Sequence, residues 1–264
     1  MPPLQDFDRD GFAVRKGFLT ADETADLERA VREAQVAVPE SSSLDRVGLV
    51  FKHNLFRRSK RLQDFVSSKK VVHLLREFAG PDFWIRWDQS IEKVPGGAPF
   101  PWHQDNGYSG LRDPHYQLWI ALTSMTRENG GLWLQRGSHL SGVRGHGTQG
   151  PHVVTPADER DAVFVDAEPG DALVFSSFLL HKTDANSTAS KRLAYVIEYM
   201  SMDHFDPYID GPYFVAARGG EPAPEFVRYF RGRLSPATQL KYLRPRLERG
   251  ARALRHGCAK LLGR

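Results

Sequence analysis

Between residues 83 and 200 the chain runs only a few residues at a time before meeting a turn signal. Short stretches rich in Val, Ile, Leu, Phe, Tyr and Trp cover 83–94, 116–123, 131–135, 162–165, 172–176 and 192–200, with Gly, Pro, Asn and Asp between them. Several short β-prone runs punctuated this way predict a sandwich, jelly roll or barrel.

The flanks read as helices. Thr20-Ala21-Asp22-Glu23 is a capping box, followed at helical spacing by Leu27, Val31, Ala34 and Val38. Pro39 and Ser41, Ser42 and Ser43 end that helix. A second helix is expected over 60–78, through Leu62, Phe65, Val66, Val72, Leu75 and Phe78, stopped by Gly80-Pro81. From Glu225 the texture turns helical again, with Phe226, Phe230, Leu240, Leu243, Leu247 and Leu254 on a loose stripe broken near Ser235-Pro236. The expected order is a helical cap (about 20–80), a β core (about 83–200) and a helical tail (about 225–264). No linker divides them, so one domain is expected over 1–264.

With 264 residues, 41% of them apolar and 26% charged, the chain can bury a sizeable core, and wholesale disorder is not expected. The lone cysteine, Cys258, cannot form an intrachain disulfide, which points to a reducing compartment. No leader pattern opens the chain and no apolar run approaches the ~20 residues of a bilayer span, so a cytoplasmic protein without membrane attachment is expected. The net charge of +4 is small, and its basic residues cluster at Arg57, Arg58, Lys60 and Arg61 and in the tail. No nucleic-acid reading motif accompanies them, so nucleic acid is not an expected partner and the clusters read as solvated helix faces.

The residues that carry chemistry lie in and around the β region. In Pro101-Trp102-His103-Gln104-Asp105-Asn106-Gly107-Tyr108, an imidazole and a carboxylate stand two apart; on an extended strand they share a face. His181, at the end of the apolar run 172–180, supplies a third ligand. Two histidines and one carboxylate on one face of an octahedral ion suit Fe(II) with three open positions. A zinc hydrolase could use similar ligands but would also want a general base, and no HExxH is present. Arg192 follows eleven residues after His181, across the Asp184-Ala185-Asn186-Ser187 turn. A hairpin there would put it on the strand beside His181. A buried guanidinium wants an anion, and the far carboxylate of an iron-chelating dicarboxylate would fit.

These motifs resemble the phytanoyl-CoA dioxygenase family. The resemblance runs from about Asp10 to Met200: Asp10-Gly11-Phe12 at the start, His103-Gln104-Asp105, Trp119-Ile120-Ala121-Leu122, Glu128-Asn129-Gly130-Gly131-Leu132 and Gly137-Ser138-His139, then Pro169-Gly170-Asp171, His181 and Arg192. It implies a mainly β fold with flanking helices and a double-stranded β-helix, a cupin-like jelly-roll core. It implies Fe(II) on His103, Asp105 and His181, with 2-oxoglutarate and O₂ as cosubstrates and Arg192 on the far carboxylate. It further implies cosubstrate contacts from Thr183, Gln89 and Lys93. The chain departs from the family at Gln135-Arg136, where many members have a proline before Gly-Ser-His. Retention of Asp105 speaks against halogenation.

The implied reaction is oxidative decarboxylation of 2-oxoglutarate to succinate and CO₂, coupled to hydroxylation of a small molecule. The alternatives are desaturation, epimerisation or cyclisation of a natural-product intermediate, or a non-catalytic cupin-like binding protein. Asn106, Tyr108, Arg86 and Arg112 are expected substrate contacts, and Arg86, Lys93, Arg112 and the cluster of Arg57, Arg58, Lys60 and Arg61 suit an anionic substrate. Residues 51–54 are a candidate lid, and Phe205-Asp206-Pro207-Tyr208 a candidate wall. His115, His146 and His152 read as loop histidines. Oligomeric state is not legible.

Overall fold

The computed structural model describes residues 4–36, 48–149, 152–241 and 243. In chain order its elements are α1 (Leu4–Asp10), β1 (Phe12–Arg15), α2 (Ala21–Val36), β2 (Leu49–His53), α3 (Lys60–Val66), α4 (Lys69–Ala79), β3 (Phe83–Lys93), β4 (Phe100–His103) and α5 (Asp105–Ser109). Then follow β5 (Tyr116–Ala121), β6 (Leu132–Gln135), β7 (Gly147–Gln149), β8 (His152–Val154), β9 (Ala162–Val165), β10 (Ala172–Ser176), β11 (His181–Thr183), β12 (Arg192–Ser201), β13 (Tyr213–Arg218) and β14 (Glu221–Val227).

A large antiparallel sheet runs β1-β10-β5-β12-β3-β13-β14, with β2 on the far end of the β3 edge; a smaller one runs β4-β11-β6-β9, and β7 and β8 form a hairpin. Strand alternation gives the large sheet two working faces. One face carries Leu118, Ile120, Val174, Leu193, Tyr195, Ile197 and Tyr199 against Leu27, Val31, Leu62, Val66, Val72 and Leu75 of α2, α3 and α4. The other carries Trp119, Leu173, Phe175, Ala194 and Val196 against Leu132, Leu134 and Val165 of the small sheet. This is the jelly-roll, cupin-like architecture, with helices outside and the polar residues of the site confined to the inner face.

The capping box forms as expected. Thr20 N–H donates to Glu23 Oε2 at 2.8 Å, and Glu23 N–H donates to Thr20 Oγ1 at 3.2 Å. Its end at Pro39 and Ser41–Ser43 lies outside the described residues, as do Cys258 and the tail beyond 243. The single helix expected over 60–78 is two, because the Ser68 hydroxyl caps α4 by accepting from Val71 N–H. The helical tail does not begin at Glu225. Residues Glu221–Val227 are strand β14, where Pro222 and Pro224 would break a helix but are tolerated on a sheet edge. Phe226 packs on Phe214 with ring centroids 4.9 Å apart, and helix resumes only at 236–241. Among the described residues no helix is long and apolar enough to cross a membrane.

Asp88, on the outer face of β3, fastens the segment after β2 to the sheet. Its carboxylate accepts from Phe56 N–H at 2.9 Å and from the Tyr195 hydroxyl, and its carbonyl accepts from Asn54 N–H at 2.8 Å. Burial pushes the carboxyl up to about 7, against the opposing pull of the Tyr195 hydrogen bond. The folded state therefore holds this proton more tightly than the unfolded chain. The stability it contributes is complete below the ordinary aspartate value of about 3.9 and is lost as pH rises through about 7.

Two outcomes are expected. Thr20→Ala should lower unfolding stability by about 1 kcal/mol in urea titrations. Asp88→Asn, which fixes a neutral side chain, should gain melting temperature relative to wild type as pH is raised through neutrality. A difference that is flat with pH would contradict the assignment.

Candidate metal centre

β4 ends at His103, Gln104 adopts extended backbone, and Asp105 opens α5. The imidazole and carboxylate are therefore not on one extended strand, as the spacing suggested. A strand-to-helix turn brings them together instead. β11 opens at His181, directly across from His103 in the small sheet. The rings lie 4.0 Å apart between centroids, and Asp105 Oδ1 is 3.9 Å from His103 Nε2 and 3.7 Å from His181 Nε2. One ligand atom from each residue falls within 4.8 Å of the others.

Both imidazoles are oriented from behind. His103 Nδ1 lies 2.9 Å from the Pro101 carbonyl and His181 Nδ1 3.0 Å from the Leu179 carbonyl. A carbonyl can only accept, so each Nδ1 carries the proton and each Nε2 lone pair faces the site. Burial, and then the His181 ring, hold His103 well below the ordinary histidine range, and burial pulls His181 down to about 4. Both are thus neutral ligands. Burial and the nearby Glu198 carboxylate push Asp105 up to about 8, a carboxylate destabilised in the absence of a cation. Gln117 Nε2 donates to Asp105 Oδ2 at 3.0 Å and leaves Oδ1 to the shared centre. Two neutral imidazoles and one carboxylate fit a divalent ion with open positions.

Arg192 lies on the opposite sheet from His181. β11 pairs with β4 and β6, whereas β12 pairs with β3 and β5, so the hairpin that the turn suggested does not form. The two residues face one another across the interior. Arg192 is 1% exposed, its Nη1 donates to the Gly130 carbonyl at 2.6 Å, and its Nε is buried without a partner. Among the described residues no carboxylate pairs with it, and burial pulls it down to about 10. Lys93 stands directly across on β3. Its Nζ donates to Thr183 Oγ1 at 2.8 Å, and burial together with the Arg192 charge brings it down to about 7. A buried guanidinium with an orphaned N–H fits the distal carboxylate of a small dicarboxylate.

Between the sheets lies a cavity of about 970 Å³ whose wall includes His103, Asp105, His181, Arg192, Thr183 and Gln89. Lys93 stands behind Thr183. Tyr108 lines the cavity with its ring edge toward His103, 5.8 Å between centroids. The other expected substrate contacts fall differently. Asn106 is fully buried and donates to the Leu111 and Asp113 carbonyls, so it shapes the loop after α5. Arg112 is exposed on a separate shallow depression beside Arg144 and Lys241. Arg86 does line the cavity, but its charge is held by Glu198 and Asp206. Of the cations that suggested an anionic substrate, Arg86 is engaged by carboxylates and Arg112 lies off the cavity, while Arg58 lines it. Residues 51–53 form part of strand β2, paired to β3, so this segment is a fixed wall and not a lid. In the Phe205–Tyr208 segment, Tyr208 lines the cavity and Asp206 anchors Arg86. His152 belongs to strand β8, its ring 4.5 Å from Phe100.

Gln117 and Glu198 were not singled out from sequence, and His115, read as a loop histidine, is fully buried with Nε2 3.4 Å from Glu198 Oε2. Glu198 shares the parity of Arg192 along β12, and a lone carboxylate in so apolar a strand was the available signal.

The match to curated relatives is partial in length. The chain is 28% identical over 146 residues to dioxygenase lolE1 of Epichloe uncinata, covering 55% of each chain. It is 27% identical over 180 residues to the phytanoyl-CoA dioxygenase of Arabidopsis thaliana, covering 65% of this chain and 62% of that one. EvdO2 from Micromonospora carbonacea var. aurantiaca, solved with 2-oxoglutarate, shares the fold at a TM-score of 0.64 and 24% identity, covering 75% of this chain and 89% of that one. Residues 7–194 match the family model for phytanoyl-CoA dioxygenase (PhyH), and the chain belongs to that family.

Proposed function

We propose that this chain is an Fe(II)- and 2-oxoglutarate-dependent dioxygenase that hydroxylates a small molecule, with release of succinate and CO₂. The observation that carries it is the pairing, across one cavity, of the His103, Asp105 and His181 ligand set with a buried arginine that has no carboxylate partner. Bound there, Fe(II) with 2-oxoglutarate and O₂ would supply the oxidising power for an unactivated C–H bond.

The protein's own part is positional. Nε2 of His103, Nε2 of His181 and Oδ1 of Asp105 hold the ion, and Gln117 fixes the carboxylate's orientation. Arg192 binds the far carboxylate of 2-oxoglutarate, and Lys93 and Thr183 polarise the same end. Gln89 lies on the cavity wall of β3, on the same face as Lys93. The remaining volume admits a small organic substrate between Tyr108, Trp119 and Tyr208. One cysteine in the chain favours a cytoplasmic location.

Two measurements test this. A Co(II) titration should show one site in wild type and at least ~10-fold weaker binding in His181→Ala, the size of effect expected on removing a ligand or its support. Anaerobic Fe(II) and 2-oxoglutarate should give the weak visible charge-transfer absorption of a chelated 2-oxo acid. It should be absent in His103→Ala and need much more 2-oxoglutarate in Arg192→Leu. No absorption with iron bound would leave only a metal-binding protein of this fold.

A further inference from the structure

The cavity has a second charged end. Along β12, Arg192, Ala194, Val196 and Glu198 alternate onto the inner face, so Glu198 stands about 20 Å along the strand from Arg192. A β-bulge between Ile85 and Trp87 on β3 turns Arg86 to the same face, where its Nη1 meets Glu198 Oε2. Arg86 Nε meets Asp206 Oδ2, and Asp206 Oδ1 accepts from Tyr208 N–H at 2.8 Å. One guanidinium thus faces two carboxylates, all three nearly or fully buried, so the cluster itself carries one more carboxylate than guanidinium, and Arg58 also lines the cavity. His115 does not offset that excess: burial and the Arg86 charge keep its imidazole well below the ordinary range.

Trp87 Nε1, directly across from Glu198, and both ring nitrogens of His115 are buried without a partner, and two acceptors beside them are unmet as well. Glu198 Oε2 is taken by Arg86, but Oε1 accepts no hydrogen bond among the described residues. Gln117 lies directly across from Glu198 on β5. Asp105 accepts from its amide nitrogen, which leaves Gln117 Oε1 as an acceptor, buried and without a partner. Glu198 Oε1 and Gln117 Oε1, beside two carboxylates that share one guanidinium, suit a cation that carries several N–H groups. Tyr108 and Tyr208, each about half exposed, line the same cavity.

We infer that Glu198, with Gln117, selects a substrate bearing a protonated amine or amidine, and that this group docks in the cavity at the opposite end from Arg192. The inference rests on the oxygenase reading of the same cavity. Arg192 would take the anionic cosubstrate and Glu198 the cationic end of the substrate, so electrostatics would sort the two ligands to opposite poles. Glu198 is here a specificity residue.

The test uses the full chain, loaded anaerobically with Fe(II) and 2-oxoglutarate, and three probes of one shape. These are 2-phenylethylamine, 2-phenylethanol and phenylacetate, followed by ligand-observed NMR. In wild type the amine should bind at least ~10-fold more tightly than phenylacetate, a modest factor for one desolvated charge contact. Its methylene protons should broaden by proximity to iron. Glu198→Gln should lose most of that preference, and Glu198→Asp, which keeps the charge, should retain it. Phenylacetate or the alcohol binding as tightly as the amine in wild type would overturn the inference without recourse to any variant. So would a preference that survives in folded Glu198→Gln. The visible absorption of the same samples separates the two levels. With absorption present and no amine preference, the substrate class is wrong and the oxygenase reading stands. With no absorption, the oxygenase reading falls and takes this inference with it.

Discussion

A guanidinium buried without a counter-charge is the constraint around which the interior is organised. Arg192 is held by a carbonyl, by the face of Trp119 at 5.5 Å and by the packing of two sheets, and by no carboxylate among the described residues. Such a charge is costly to bury and persists only where surrounding structure or a ligand compensates. Its neighbour Lys93 stands on the same inner face, lowered by burial and then by that proximity. A fold selected for stability alone would place Leu or Val at these positions. Burial of Arg192 between the two sheets is what keeps its charge out of water and lets it have effect.

The metal ligands are positioned by backbone far more than by other side chains. His103 ends one strand, His181 opens the facing one, and both rings are pinned by carbonyls two residues upstream in the chain. Only Asp105 depends on a side chain, Gln117, for its orientation. The ligand set therefore belongs to the rigid part of the molecule. The other end of the cavity is built differently, with the loop residues Asp206 and Tyr208 tied to a buried ion cluster.

Opposite charge at the two ends gives the cavity a direction. An anion would be drawn toward Arg192 and away from Glu198, and a cation the reverse. The bulge at Arg86 is a local irregularity with this consequence, because without the extra residue Arg86 would keep the strand's alternation and point to the helical face.

Much of the architecture was legible in the chain itself. The strand runs of the core lie within a residue or two of their expected positions, since β-branched and aromatic stretches between turn residues leave little choice. His103, Asp105, His181 and Arg192 stood out because their chemistry is conspicuous in apolar surroundings. What the chain did not reveal depended on pairing between distant segments. The edge strand Glu221–Val227 reads as helix until β13 is there to pair with it. Arg192 looked like a hairpin neighbour of His181 until strand order sent β11 and β12 to different sheets. Arg86 and Arg112 looked alike as free cations, yet one is neutralised by carboxylates more than a hundred residues away and the other faces solvent. Sequence determined which residues could do chemistry, because composition and local spacing are properties of neighbours along the chain. Tertiary structure decided which of them face one cavity and which charges are already spent, because burial and counter-charge are set by segments that meet only when the sheets close.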